Sequence, residues 1–159
     1  MWSSLPSPHP HEAERKRWLA EADSQARKKR SLQTFSSHTL LLLIDIELAF
    51  CAGAWLSLIV LSQASVEATL RQITTGDYKS SAAAMFGSDP ELQWLRTFRN
   101  EVIHAAEPGT PSQLWKLAPD SLISCHSALE PEAQRAVTLV YKAAYAAAGT
   151  LWNDRNSNG

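Results

Sequence analysis

The stretch Ala49-Phe50-Cys51-Ala52-Gly53-Ala54-Trp55 decides how the most apolar part of the chain folds. It lies inside residues 38–74, whose apolar spacing is helical throughout. One unbroken helix of that length would run about 55 Å, whereas a compact domain of 159 residues has a radius of gyration of roughly 15 Å. A glycine just past an apolar segment is typical of a helix end in the left-handed conformation. The sequence therefore predicts two antiparallel helices, 38–51 and 54–74, that meet at Gly53.

Helical patterns flank this predicted hairpin on both sides. Residues 11–34 contain no helix breaker and are rich in Ala, Glu, Lys and Arg. Asp89-Pro90-Glu91 supplies an N-cap, a first-turn proline and a first-turn acid for a helix that should stop near residues 105–106. Glu130-Pro131-Glu132 opens a last helix that should reach about Trp152, with Ala133, Val137, Val140, Ala144 and Ala148 on its apolar face.

The connecting segments carry weaker signals. Residues 80–86 suggest a short helical piece, and residues 111–124 suggest irregular chain with about one helical turn. Because no stretch alternates polar and apolar residues for long enough to predict a strand, the expected fold class is all-α, an antiparallel bundle of four to five helices. The expected organisation is a disordered lead (1–10), an N-terminal basic helix (11–35), a helical domain (36–153) and a disordered tail (154–159).

Composition narrows the class of protein. The formal net charge of −1 gives no overall attraction to nucleic acid or to anionic lipid. Basic residues nevertheless cluster in Arg15-Lys16-Arg17 and in residues 27–30, either as a solvated helix face or as an arm that contacts RNA phosphates. Cys51 and Cys125 cannot form a disulfide framework and should be buried thiols in a reducing cytoplasm. No secretory signal is evident at the N-terminus, which also favours a cytoplasmic protein.

Two acids decide against a membrane span. Asp45 and Glu47 interrupt the apolar run of residues 39–62, and an acidic residue near the centre of a bilayer is costly. A helix in the protein core is therefore expected instead. The same two acids have no His or Cys at ligand spacing, so no metal site is predicted.

One segment indicates chemistry. Arg99-Asn100-Glu101-Val102-Ile103-His104 lies late on a predicted helix and is followed by a loop, and it resembles the R-x4-6-H motif of the HEPN superfamily. The hairpin at residues 49–55, which continues to Glu67-x-x-Leu70, is similar to the helix–Gly–helix hairpin of many HEPN domains. The six-residue motif by itself is a weak signal. The two likenesses together cover residues 45–106.

This resemblance implies a specific activity. Catalytic HEPN domains are homodimers in which two copies of the motif face each other and cut RNA without a metal or cofactor. The products carry 2′,3′-cyclic phosphate and 5′-hydroxyl ends. The resemblance assigns Arg99, Asn100 and His104 as catalytic residues. Arginine offers a fork of donors to phosphate oxygens, and an imidazole can transfer protons near neutral pH.

The spacing of the motif also bears on the oligomeric state. Arg99 and His104 are five residues apart, about 140° around an ideal helix, so one copy does not aim both side chains the same way. A site completed by a second copy relaxes that constraint, which favours a homodimer. Further candidates for lining the site are Glu67, Arg96 and Glu47, although Glu67 fits a solvent-facing helix flank equally well. Trp55, Trp94 and Trp115 are expected in the core, and any of them could stack an RNA base.

Several alternatives stay open at this point. Arg99 could pair with Glu101 or Glu91, and His104 could bind a carbonyl at the helix end. HEPN toxins that are silenced by a nucleotidyltransferase carry a tyrosine two residues after the histidine, whereas this chain has Ala106. The resemblance therefore does not extend to that regulator, and any antitoxin or regulatory protein would be of another type. The rival hypothesis is a non-catalytic module of the same fold that binds a nucleotide or a protein.

Overall fold

The chain is all-helical over the residues that the computed structural model describes, which are 11–28, 37–73, 88–104 and 121–145. No strand occurs in these four ranges. The predicted all-α class is confirmed. The helices are α1 (Glu12–Lys28), α2 (Ser37–Cys51), α3 (Trp55–Ile73), α4 (Pro90–Ile103), α5 (Leu122–Ala128) and α6 (Glu130–Ala144).

The break at Gly53 is confirmed. Gly53 has a φ of +66°, in the left-handed region that a residue without Cβ adopts at least cost. Its backbone N–H donates to the Phe50 carbonyl at 3.0 Å, and the Ala54 N–H donates to the Ala49 carbonyl at 2.8 Å. These two bonds form a Schellman motif, which satisfies carbonyls at the end of α2 and turns the chain back along α3.

Helix α3 lies at the centre of the fold, in contact with α2, α4 and α6. Helix α1 packs on α6 and on α2, and its Leu19 joins the same core. The core residues of α3 are fully buried over almost its whole length: Leu58, Ile59, Val66 and Leu70. The fold therefore has a single apolar core that elements from both ends of the described chain share.

The last helix agrees with its predicted face. Ala133, Val137, Val140 and Ala144 are all buried in α6. Its predicted start at Glu130 is also confirmed, with a proline in the first turn. The helix was predicted to reach about Trp152, but it ends at Ala144 with Tyr145 as its C-cap. The lead (1–10), the short helix at 80–86 and the tail (154–159) lie outside the described residues.

The interpretation of Arg15 as part of a solvated basic face is wrong. Its side chain is only 14% exposed, and its Nε donates to a Glu130 carboxylate oxygen at 3.2 Å. Its Nη1 donates to the Cys51 carbonyl at 3.3 Å, and its guanidinium lies 4.6 Å from the centroid of a Trp55 ring. One arginine therefore ties the start of α1 to α2, α3 and α6, which a buried guanidinium can do because its donors point in several directions.

Two further expectations need correction. Residues 111–124 were expected to be irregular with about one helical turn, whereas Leu122 begins α5, which continues to Ala128 and whose N-cap Ser121 accepts the Ser124 backbone N–H at 3.0 Å. Cys51 and Cys125 are free thiols, as expected, but both are only half-buried. Burial nevertheless raises the pKa of the Cys51 thiol, ahead of the opposing effect of Lys16.

Candidate functional site

The helix that carries the Arg99–His104 motif is firmly held at its start. A carboxylate oxygen of Asp89 accepts the backbone N–H groups of Glu91 at 2.8 Å and Leu92 at 3.3 Å, as its predicted N-cap role requires. Both carboxylate oxygens of Glu91 then accept from Arg135 of α6, each at 2.9 Å. The Arg135 guanidinium stacks 4.0 Å from the centroid of Trp94. These contacts fix the register of α4 against α6.

At the far end of α4, the structure brings two of the three predicted catalytic side chains together. The Arg99 Nη1 donates to the Asn100 Oδ1 at 2.9 Å. Both residues are half-buried. Arg99 follows the buried Leu92 and Leu95 by seven and four residues, so it leaves the helix beside the face that packs into the core. Arg99 is therefore oriented by its neighbour and does not sweep freely through solvent.

His104 is the C-cap of α4, one residue beyond the helix, which ends at Ile103 and not at 105–106 as predicted. Its backbone is extended (φ −99°, ψ 116°), and its N–H donates to the Asn100 carbonyl at 2.8 Å. The residue is exposed. Asn100 thus connects to both partners, to Arg99 through its side chain and to His104 through its main chain.

The candidate lining residues lie in different surroundings. Arg96 is exposed on α4, one turn before Asn100. Glu67 accepts from the buried Gln63 at 2.8 Å and lies 3.8 Å from Arg71, and both of these residues are on its own helix. Because its side chain is about one-third exposed, at 36%, it fits the solvent-flank alternative.

Glu47 belongs to another groove. Its Oε1 accepts the hydroxyl proton of Tyr141 at 3.0 Å, and it lines a cavity of about 380 Å³ formed by α1, α2 and α6. Burial, followed by the Glu47 carboxylate, raises the pKa of Tyr141 far above its usual value. Tyr141 therefore stays protonated at neutral pH and donates to Glu47 on the wall of the groove.

The structure also shows where the alternative partners of Arg99 and His104 lie. The Glu91 carboxylate is engaged by Arg135 on both oxygens. The His104 main chain, not its ring, meets a carbonyl. Trp55 is buried as expected, whereas Trp94 is only half-buried and stacks on Phe98 at 5.7 Å. Trp115 and Ala106 lie outside the described residues.

The described residues contain no cluster of three or more His, Cys, Asp or Glu that could hold a metal ion. No helix among them is both long enough and apolar enough to cross a bilayer. The chain was compared with family models, curated proteins and solved structures, and none of them matches it.

Sequence reasoning missed Arg15 and Tyr141 as residues that shape surface features. Arg15 lies 115 positions from Glu130, and Tyr141 lies 94 positions from Glu47. No local sequence pattern predicts pairs of residues that are so far apart in the chain. Tyr141 does follow directly after Val140 on the apolar side of α6, and that position was a signal that it would be buried.

Proposed function

We propose that this protein is a metal-independent endoribonuclease of the HEPN type that acts as a homodimer, with Arg99, Asn100 and His104 as its catalytic residues. The observation that carries the proposal is the arrangement at the end of α4. There Asn100 bonds Arg99 through its side chain and His104 through its backbone, and the imidazole is exposed at the surface. Asn100 thus links Arg99, a cation that can bind phosphate, to His104, a group that can transfer protons. A role as a toxin or defence effector in the cytoplasm follows from the same resemblance.

The reaction needs only groups that this site can provide. The RNA 2′-hydroxyl loses its proton to a base and attacks the neighbouring phosphorus, while the bond from phosphorus to the 5′-oxygen breaks. An acid then protonates the leaving 5′-oxygen, which yields a cyclic phosphate and a 5′-hydroxyl. Arg99 stabilises the negative charge that builds on the phosphate oxygens, since a guanidinium can donate two parallel hydrogen bonds.

The chemistry explains why two copies are required. One proton must be removed and another delivered, but each motif contains only one imidazole. A two-fold axis beside the end of α4 would supply a second His104, one copy acting as base and the other as acid. The exposed position of His104 leaves it accessible to a second protomer.

The test is incubation of the purified full chain with RNA in EDTA, with the product ends analysed by mass spectrometry. We expect cyclic phosphate ends, and a loss of 10²–10⁴-fold in rate for His104→Ala, on the order expected for a general acid or base. Arg99→Ala should lose at least as much. The matched controls are His38→Ala and Arg17→Ala, which remove an exposed imidazole and an exposed cation from other helices.

Three results would contradict the proposal. Full activity of His104→Ala would remove its central residue, and activity that EDTA abolishes would assign a different chemistry. RNA binding without cleavage would favour the non-catalytic module. A mixing experiment tests the dimer separately: if each subunit contributes one essential imidazole, a heterodimer of wild type and His104→Ala should be as inactive as the mutant homodimer.

A further inference from the structure

Helix α2 has an apolar face that the core does not use. Ile46 and Phe50 are fully buried on one side, whereas Leu41, Ile44 and Leu48 on the other side are 62%, 53% and 64% exposed. Leu40 adds to the same exposed surface. Together these side chains make a patch on the order of a few hundred Å², the size at which a protein surface usually carries a binding site.

This side of α2 has the spacing of a helix–helix interface. The exposed Ser37, Leu41, Ile44 and Leu48 and the half-buried Cys51 follow one another at intervals of four, three, four and three, which is the a/d pattern of a coiled-coil seam. We call these five residues the α2 seam. A row of side chains along the length of a helix can pack against a second helix that lies alongside it, whereas a small ligand would contact only part of the row.

The seam continues into the groove that contains Glu47. Ile44, Leu48 and Cys51 form one wall of this cavity of about 380 Å³, and Leu19 and Ala20 of α1 contribute apolar surface across from them. A helix docked along the seam could therefore insert large side chains between α1 and α2. Such an anchor pocket is where the binding energy of an interface concentrates.

The charge around the seam is negative. Asp45 and Glu47 follow Ile44 by one and three residues, which places them on opposite flanks of the seam. Glu47 is bonded to the hydroxyl of Tyr141, a neutral group, so its charge is not offset there. The groove is also lined by Glu12 and Asp23, but these two acids pair with Lys16 at 2.6 Å and with Arg27 at 2.8 Å, so the negative charge beside the seam comes from Asp45 and Glu47.

This charge distribution selects the occupant. If a second copy of α2 docked antiparallel about a two-fold axis at Ile44, each Asp45 would face another Asp45 and each Glu47 another Glu47, and like charges disfavour such pairing. A basic helix would meet both flanks favourably. We propose that the α2 seam and its groove bind an amphipathic helix of another protein, with Leu-type residues at a/d spacing and Lys or Arg on either side. The surface lies on α2, so its use is independent of the nuclease proposal for the end of α4.

The experiment uses the full chain and a fluorescent synthetic helix of three heptads with Leu at a and d and Lys at e and g. We expect saturable binding that weakens with added salt. An otherwise identical peptide with Glu at e and g should bind much more weakly, and so should a Lys peptide whose leucines are replaced by Ser. Losing one anchor contact in Leu48→Ala or Ile44→Ala should weaken binding roughly tenfold.

Matched variants distinguish binding at the α2 seam from nonspecific hydrophobic binding elsewhere on the protein. Ile123→Ala removes an apolar side chain that is 70% exposed on α5 and should leave the affinity unchanged. Asp45→Asn with Glu47→Gln should weaken binding severalfold and flatten its salt dependence, whereas Glu21→Gln on the far side of α1 should do neither. Equal binding of the Glu peptide, no binding, or no effect of Leu48→Ala would overturn the proposal. Sedimentation would also overturn it by showing self-association that Leu48→Ala abolishes, because the occupant would then be a second copy.

Discussion

Replacing Gly53 by alanine tests whether the α2–α3 turn and Arg15 act as one unit. At φ +66° an L side chain is strained, which costs about 1–2 kcal/mol for alanine. A Cβ built at this position would also lie 2.9 Å from the Arg15 Nη1, so the guanidinium would have to shift. That shift would lengthen its bond to the Cys51 carbonyl, already 3.3 Å. Against this, alanine restricts the unfolded chain and recovers about 0.4–1 kcal/mol.

The net expectation for Gly53→Ala is a loss of about 1–2 kcal/mol in the free energy of unfolding. Gly53→Asn is the matched variant, since asparagine carries a Cβ but tolerates the left-handed conformation. It should therefore lose less than alanine while making the same approach to Arg15. Urea titration followed by tryptophan fluorescence measures both, provided that the m-value is unchanged.

A double-mutant cycle isolates the contact with the guanidinium. In an Arg15→Ala background no guanidinium opposes the new Cβ, so Gly53→Ala should cost less than in the wild type, by about 0.5 kcal/mol or more. If Gly53→Ala unfolds at the same urea concentration as the wild type, the turn is not strained as the structure indicates. If the two substitutions are additive, the close approach of Arg15 to Gly53 carries no energy.

Two further substitutions test α4 and the groove. Asp89→Ala should lower the free energy of unfolding by about 1 kcal/mol, whereas Asp89→Ser, which keeps a capping oxygen, should lose much less. Thermal denaturation measures both variants. Equal stability of the two would contradict the capping role. Tyr141→Phe removes the hydroxyl that donates to Glu47 and should cost about 1 kcal/mol at neutral pH. Because burial, then Glu47, raises the pKa of Tyr141 above 10.0, its contribution is complete below pH 10 and declines as the pH rises beyond it. The stability of Tyr141→Phe should therefore fall less steeply above pH 10 than that of the wild type, and parallel curves would contradict this assignment.

The parts of the fold that the sequence predicts correctly depend on local chemistry. A glycine after an apolar segment, an Asp-Pro pair before one and a Glu-Pro pair before α6 each satisfy backbone groups within a few residues. Their positions could therefore be derived without knowing what packs against what. Only about one helical turn was predicted where α5 begins, although Ser121 caps this helix, because its seven residues give too short a pattern for periodicity to register.

The contacts that were not predictable join distant parts of the chain. The pairing of Arg15 with Glu130 depends on α1 and α6 lying side by side, and only the assembled core decides that arrangement. A run of basic residues on a helix is usually exposed to solvent, so the composition of this run predicted an exposed Arg15, which is wrong. The same holds for Glu47, whose partner Tyr141 assigns it to the groove beside α1.

For the candidate site, order and helix placement could be derived from the sequence, whereas side-chain pairing could not. Asn100 can reach either Arg99 or His104, and its choice of Arg99 depends on rotamers that spacing does not determine. The end of α4 at Ile103 was equally uncertain, since helix boundaries shift by one or two residues without changing the pattern.

The two ends of α4 have different roles that together favour catalysis by two copies. The start is fixed by the Asp89 cap and the bidentate Glu91–Arg135 pair, and His104 lies thirteen residues beyond Glu91, about 20 Å along the helix. A helix anchored in this way holds Arg99 and Asn100 in a constant relation to the core, as a preorganised phosphate site requires. The imidazole lies just past the helix, tethered only through its main chain, and one chain provides it once. Under the proposed function, one protomer would thus supply the rigid part of the site, and a two-fold axis would add the second proton-transfer group.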